Sequence, residues 1–158
     1  DMPFLSELDL RAVRGEPRAF RLLCPLLYQA NDGELLVVPA GFTTDLASIP
    51  QPLQWAFPVN DLHKAAAVVH DYGFVMQDRT RAEVDALFLE AMAALGVPRW
   101  KRTAMWLGVR VGGVLAWRRN ARALEADRAA FLASHGLAGE PRLHCAFAQG
   151  GEPWGGAQ

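Results

Sequence analysis

The stretch Val38-Pro39-Ala40-Gly41-Phe42-Thr43-Thr44-Asp45-Leu46-Ala47-Ser48-Ile49-Pro50, with His63-Lys64-Ala65-Ala66-Ala67-Val68-Val69-His70-Asp71 after it, joins a strand to a helix. Proline removes a ladder donor and glycine permits a sharp bend, so the strand ends or turns at Pro39 to Gly41. Thr43, Thr44, Asp45 and Ser48 have short polar side chains that bond nearby backbone and favour turns and helix starts. Pro50, Pro52 and Pro58, with Trp55 and Phe57, stiffen the loop that follows. Asn60 or Asp61 is the expected N-cap of a helix running to about Phe74. On that helix His63 and His70 share nearly one face, and Lys64 and Asp71 lie one step around. The two stripes are separated by alanines, which predicts an uncrowded polar strip open to a substrate, ion or partner.

Working back toward the N-terminus, Phe20 to Gln29 and Glu34 to Val38 are apolar and aromatic, and Asn31-Asp32-Gly33 between them tolerates positive φ. This pattern predicts a β-hairpin. A weak strand is expected around Leu8 to Val13.

Working forward, Thr80 with Glu83 forms a capping box. Val84, Leu87, Phe88, Ala91, Met92 and Leu95 repeat at helical spacing behind it. Gly96 is the C-cap candidate and Pro98 stops the helix. A further helical region extends from Pro98 to Ser134, with Gly112-Gly113 as the expected break. Its first half, Trp100 to Val111, is apolar on most sides and is expected to be buried. Its second half is expected at the surface, with Leu124, Phe131 and Leu132 facing inward.

The fold expected from these elements is α+β, a small antiparallel sheet from the N-terminal third packed against three or four helices. Residues 1–138 form one domain and 139–158 a Gly/Pro-rich tail, in which Leu143 to Phe147 offer a short edge strand. At 158 residues the chain is long enough for one core. A net charge of −1 gives no field favouring nucleic acid or anionic lipid. The basic residues around Trp100 and Trp117 are diluted by Glu125 and Asp127 and read as a solvated helix face. The most apolar run, Met105 to Trp117, contains Arg110 and falls short of the roughly 20 residues a bilayer span needs. With no signal-peptide pattern at the start, the chain reads as soluble. Cys24 and Cys145 belong to no C-x-x-C motif; Cys24 reads as a small buried hydrophobe, and a disulfide between the two is permitted.

Several of these blocks resemble the phage and prophage family catalogued as domain of unknown function 1353. They are Val38 to Phe42 with Thr44-Asp45 and Ser48-Ile49-Pro50, then Lys64-Ala65-Ala66 and His70-Asp71-Tyr72, then Arg81, Ala82, Asp85 and Phe88. Gly96-Val97 and Val109-Arg110 with Gly112 fit the same pattern, so the resemblance covers roughly residues 20 to 115. Tyr72-Gly73-Phe74 departs from the bulkier pair expected after His-Asp. The resemblance implies a bacterial host cytoplasm or a phage virion, with other phage proteins or cell-wall material as partners. It marks Thr44, Asp45, Ser48, His70, Asp71, Arg81 and Asp85 as the matching polar positions.

The chemistry follows from these residue types. Asp45, Ser48, His70 and Asp71 are the candidate catalytic residues, and Thr44, Lys64, Arg81 and Asp85 the candidate binding residues. Asp45 and His70 are candidate ligands for a divalent metal such as zinc, which polarises carbonyls and acidifies water. Neighbours on a helix point about 100° apart, so of His70 and Asp71 one acts as ligand or base and the other pairs with a basic residue such as Lys64 or Arg81. Ser48 with His70 and an aspartate allows a hydrolytic triad, although no G-x-S-x-G elbow surrounds Ser48. The bland alternative makes Asp45 a turn cap, pairs Asp71 and Asp85 with Lys64 and Arg81, leaves His70 a hydrogen-bonded core histidine, and exposes His63. Two functions are thus expected in competition: a small hydrolase, metal-assisted or acting on cell wall, and a non-catalytic virion component or assembly factor.

Overall fold

A computed structural model describes residues 3–45 and 63–146. The expected positions Leu46 to Leu62, Ser48 among them, and the tail from Phe147 lie outside the described residues. Among the described residues five short strands precede three helices: β1 (Leu10–Ala12), β2 (Phe20–Leu22), β3 (Leu26–Gln29), β4 (Leu35–Val38) and β5 (Thr43–Thr44), then α1 (Lys64–Met76), α2 (Arg81–Ala94) and α3 (Arg99–Ser134). The fold is α+β.

The hairpin forms where expected, β3 against β4 with Leu26 opposite Val38 and Gln29 opposite Leu35. Its turn closes with the Ala30 N–H donating to the Glu34 carbonyl at 2.9 Å, and Gly33 takes a φ of 88°. The expected strand Phe20 to Gln29 is not continuous, however. Pro25 cannot donate to a ladder, and the chain bends at Leu23-Cys24. β2 therefore leaves the hairpin sheet and lies in a second sheet, ordered β1-β2-β5 and antiparallel throughout. Gly41, with φ 90°, turns the chain from β4 into β5 and so carries Thr44 from one sheet to the other.

Leu22, Leu26, Tyr28, Val38 and Phe42 from the sheets meet Ala65 to Val69 of α1 and Phe88, Ala91 and Met92 of α2 in one core. The alanines of α1 are small enough to let the helix lie close to both layers. α1 runs to Met76, two residues beyond the expected end. It stops at Gln77 in the left-handed conformation, whose N–H donates to the Gly73 carbonyl at 3.0 Å. Its N-terminal boundary is His63, which makes no side-chain cap bond. α2 has the expected capping box between Thr80 and Glu83. It ends in a Schellman motif, Gly96 N–H to Ala93 carbonyl and Val97 N–H to Met92 carbonyl, both 3.0 Å.

α3 corrects two expectations. It passes through Gly112-Gly113 unbroken, because a Cβ on Gly113 would stand 3.1 Å from the Phe74 ring. The glycine there serves close helix packing. The break falls at Asp127 (φ −157°, ψ 90°), where the carboxylate accepts the Ala130 N–H at 3.0 Å and caps a new helical segment. The first half of α3 is also not buried: only Met105 is, while Trp100 is 69% and Val111 80% exposed. α3 packs on α1 and α2 along one side, so an all-round apolar sequence leaves its other side uncovered.

Beyond α3 the chain returns to the sheets. Thr43 N–H donates to the His135 carbonyl and Ala40 N–H to the Arg142 carbonyl, both at 2.9 Å, and Ala146 N–H to the Leu23 carbonyl at 2.8 Å. No strand forms over residues 143–146. Cys24 and Cys145 are joined in a disulfide, so Cys24 is half-buried and covalently bonded, not a free buried thiol. Among the described residues no helix is long and apolar enough to cross a membrane.

Candidate functional site

A cleft of about 270 Å³ opens where β5, α1 and α3 converge. Thr44 and Asp45 form one wall, His70 and Asp71 another, and Val109, Gly113 and Arg119 of α3 a third. Ser134 and His135 close it from the end of α3. The turn at Gly41 delivers Thr44 and Asp45 to this place, and the helical step of α1 presents His70 and Asp71 side by side.

The neighbours His70 and Asp71 diverge as their helical positions require. The Asp71 carboxylate turns to the sheet and accepts a short hydrogen bond from the Thr44 hydroxyl. His70 turns to the helices, where its Nε2 lies 2.8 Å from Oδ1 of Asp85 on α2. A carboxylate only accepts, so Nε2 carries a proton, and it is the tautomer with its lone pair on Nδ1 that this contact selects in a neutral ring. Phe74 and Phe88 flank the imidazole at ring-centre distances of 4.4 and 4.8 Å and hold its plane. No hydrogen bond to Nδ1 is made among the described residues.

Asp85 has no exposed surface. Its other oxygen, Oδ2, accepts from Arg110 Nη1 of α3 at 3.0 Å and faces Arg81 Nη1 at 3.5 Å. Arg81 also donates to the Arg110 carbonyl at 2.9 Å, tying α2 to α3. A fully buried carboxylate with this many charged donors is satisfied and is expensive to disturb.

The expected site residues are therefore distributed as follows. Thr44, Asp45, His70 and Asp71 line one cleft, and Arg81 and Asp85 stand behind it. Lys64 does not line the cleft. Neither does His63, which is buried, not exposed; burial first and the Lys64 charge second push its pKa below the ordinary 6.5. Of the polar strip along α1, His70 and Asp71 at its C-terminal end line the cleft, and His63 and Lys64 do not. Asp71 pairs with Thr44. The Arg81 to Asp85 pair does form, as part of a larger buried network. Asp45 is exposed at the rim. Asp45 and His70 share the cleft, but among the described residues no three of His, Cys, Asp and Glu are grouped to hold a metal ion.

Arg110 was not singled out as a site residue, although an arginine inside the most apolar run of the chain is the signal that marks it. Asn120 and His135 gave no signal, and Arg119 read only as part of a solvated basic helix face, because it is the path of α3 alone that brings them to the cleft.

Residues 20–109 match the family described as a protein of unknown function, DUF1353. The chain belongs to this DUF1353 family. Every cleft residue contributed by β5 and α1 falls in the matched region, as do Arg81 and Asp85, whereas Arg110, Arg119 and His135 lie beyond it. The uncharacterized protein y4jT of Sinorhizobium fredii (strain NBRC 101917 / NGR234) is 33% identical over 105 residues, which covers 64% of this chain and 31% of that protein. The chain thus spans about a third of the length of that relative. No solved structure matches the chain.

Proposed function

We propose that this DUF1353 protein is a small hydrolase of phage or prophage origin in which His70 is the general base. One observation carries the reading: a buried histidine, held at Nε2 by Asp85, lines a cleft, and its Nδ1 has no hydrogen-bond partner among the described residues. An imidazole oriented by a carboxylate at one nitrogen and basic at the other is the arrangement that takes a proton from an attacking water or hydroxyl. Asp71 and Asp45 on the neighbouring walls are acceptors for the donor groups of a substrate, and Thr44 holds Asp71 in place. At about 270 Å³ the cleft lies just under the roughly 300–1,000 Å³ of sites that engulf a whole small molecule. It suits one sugar or amide unit of a larger substrate, and bacterial cell-wall material is the class to try first. Among the described residues Asp45 and His70 supply two donors toward a metal, fewer than the three protein ligands a catalytic zinc uses.

The second reading is a non-catalytic virion component or assembly factor that binds other phage proteins. It is favoured by Asp85, which joins donors from α1, α2 and α3 and would lock the helices without any chemistry. Purified protein and its His70→Gln variant, assayed on cell-wall preparations and on activated ester and glycoside substrates, separate the two. Hydrolysis by the wild type and at least a hundredfold loss in the variant, with melting temperature nearly kept, supports the enzyme. Equal background rates for both proteins refute it.

A further inference from the structure

The geometry points to a thiol-sensitive strap: residues 135–146, which begin at one end of the cleft with His135, are held against the sheets chiefly by the Cys24–Cys145 disulfide, and its reduction by a dithiol frees them.

The strap starts at the end of α3 with a Schellman turn, Gly136 N–H to Ala133 carbonyl and Leu137 N–H to Leu132 carbonyl. Gly136 and Gly139, with φ of 76° and 73°, give it two bends. Beyond Leu137 the strap is mostly exposed, and Leu143 lies open to solvent. Among the described residues its backbone ties to the sheets, through Thr43, Ala40 and Ala146, reach β5 and the neighbouring loops one bond at a time and build no ladder. A segment with few buried apolar contacts and scattered hydrogen bonds opens locally at low free energy unless something covalent holds it. The Cys24–Cys145 bond is placed to do this, at the end of the strap farthest from α3.

The consequence reaches the cleft. His135, the first residue of the strap, and Ser134 before it line the cleft, and the His135 carbonyl holds the N–H of Thr43, next to the Thr44 that bonds Asp71. Reduction breaks the sulfur–sulfur bond with two electrons and two protons from the dithiol, leaving thiols on Cys24 and Cys145 and a cyclic disulfide on the reductant. Reducing cytosol then favours a loosened strap and a more open cleft, and an oxidising compartment or the medium outside a cell favours the closed one. None of this depends on whether the cleft is catalytic.

The test uses the full chain purified without reductant. Thiol titration in denaturant is expected to find no free thiol before dithiothreitol and two after it. Hydrogen exchange read by mass spectrometry is expected to rise at least tenfold for peptides covering residues 39–44 and 135–146 on reduction, while α2 peptides stay protected. The double variant Cys24→Ser with Cys145→Ser is expected to reproduce the reduced pattern without reductant. Free thiols in the air-oxidised protein overturn the proposal. So does unchanged exchange in the strap, or exchange rising equally in α2, which would make the bond a global staple.

Discussion

Replacing Asp85 by alanine is the sharpest perturbation the fold offers. The carboxylate is wholly buried and accepts from His70 at 2.8 Å and Arg110 at 3.0 Å, with Arg81 at 3.5 Å. Its loss strands three donors from three helices. The Arg81 and Arg110 side chains keep 22% and 33% exposure and so recover some hydration, but the His70 side chain, at 9%, does not. Breaking a buried pair from one side costs about 3–5 kcal/mol, and Asp85→Ala belongs at the upper part of that range because a void is added. Asp85→Asn keeps the volume and one acceptor, so it should lose less, about 1–3 kcal/mol for the donors left short. Urea unfolding followed by far-ultraviolet dichroism gives both numbers by linear extrapolation. A loss under about 1 kcal/mol for Asp85→Ala would refute the view that this carboxylate ties the helices together.

Two further outcomes follow from the same structure. His63 has a depressed pKa in the folded chain, so between that value and 6.5 the unfolded chain binds more protons. Its contribution to stability is complete above pH 6.5 and is lost as pH falls through the folded pKa. Melting temperature should therefore drop below pH 6.5, less steeply in His63→Gln, and identical profiles would remove His63 as the cause. Gly136→Ala should cost at least about 2 kcal/mol, combining a positive φ with overpacking. The added Cβ would lie 1.9 Å from the Gly41 carbonyl oxygen, a backbone atom that cannot swing aside; a near-neutral melting curve would show that the strap is not docked as described.

What could be read from the sequence was what local chemistry decides. The capping box of α2, the Asn31-Asp32-Gly33 turn and the bend at Gly41 depend on residues within a few positions of one another, and all appear as expected. Misreadings arose where a distant neighbour decides. Gly113 looked like a break because glycine weakens helices, but Phe74, far back in the chain, needs the space. Trp100 to Val111 looked buried because the pattern is apolar on all sides, yet packing partners arrive on one side only. Arg81 and Asp85 read as a local ion pair four residues apart on one helix. Only the crossing of α3, which brings in Arg110, together with His70 from α1, makes that carboxylate the buried centre of a network.

The adjacent pair His70-Asp71 gives the site its mechanical character. One residue bolts α1 to the sheets through Thr44, and the next bolts α1 to α2 and α3 through Asp85, so both layers meet the cleft at neighbouring positions of one helix. A change that moves β5, such as loss of the Thr43 bond to His135, is therefore passed to Asp71 directly and to His70 through the rigid turn between them. Cleft geometry and layer packing are coupled at this point of α1. A base role for His70 and a structural role for Asp85 are accordingly not rival descriptions of the same atoms, because the buried carboxylate can hold the helices and fix the imidazole at once. What separates the two functional readings is Nδ1 alone, the ring nitrogen that has no partner among the described residues.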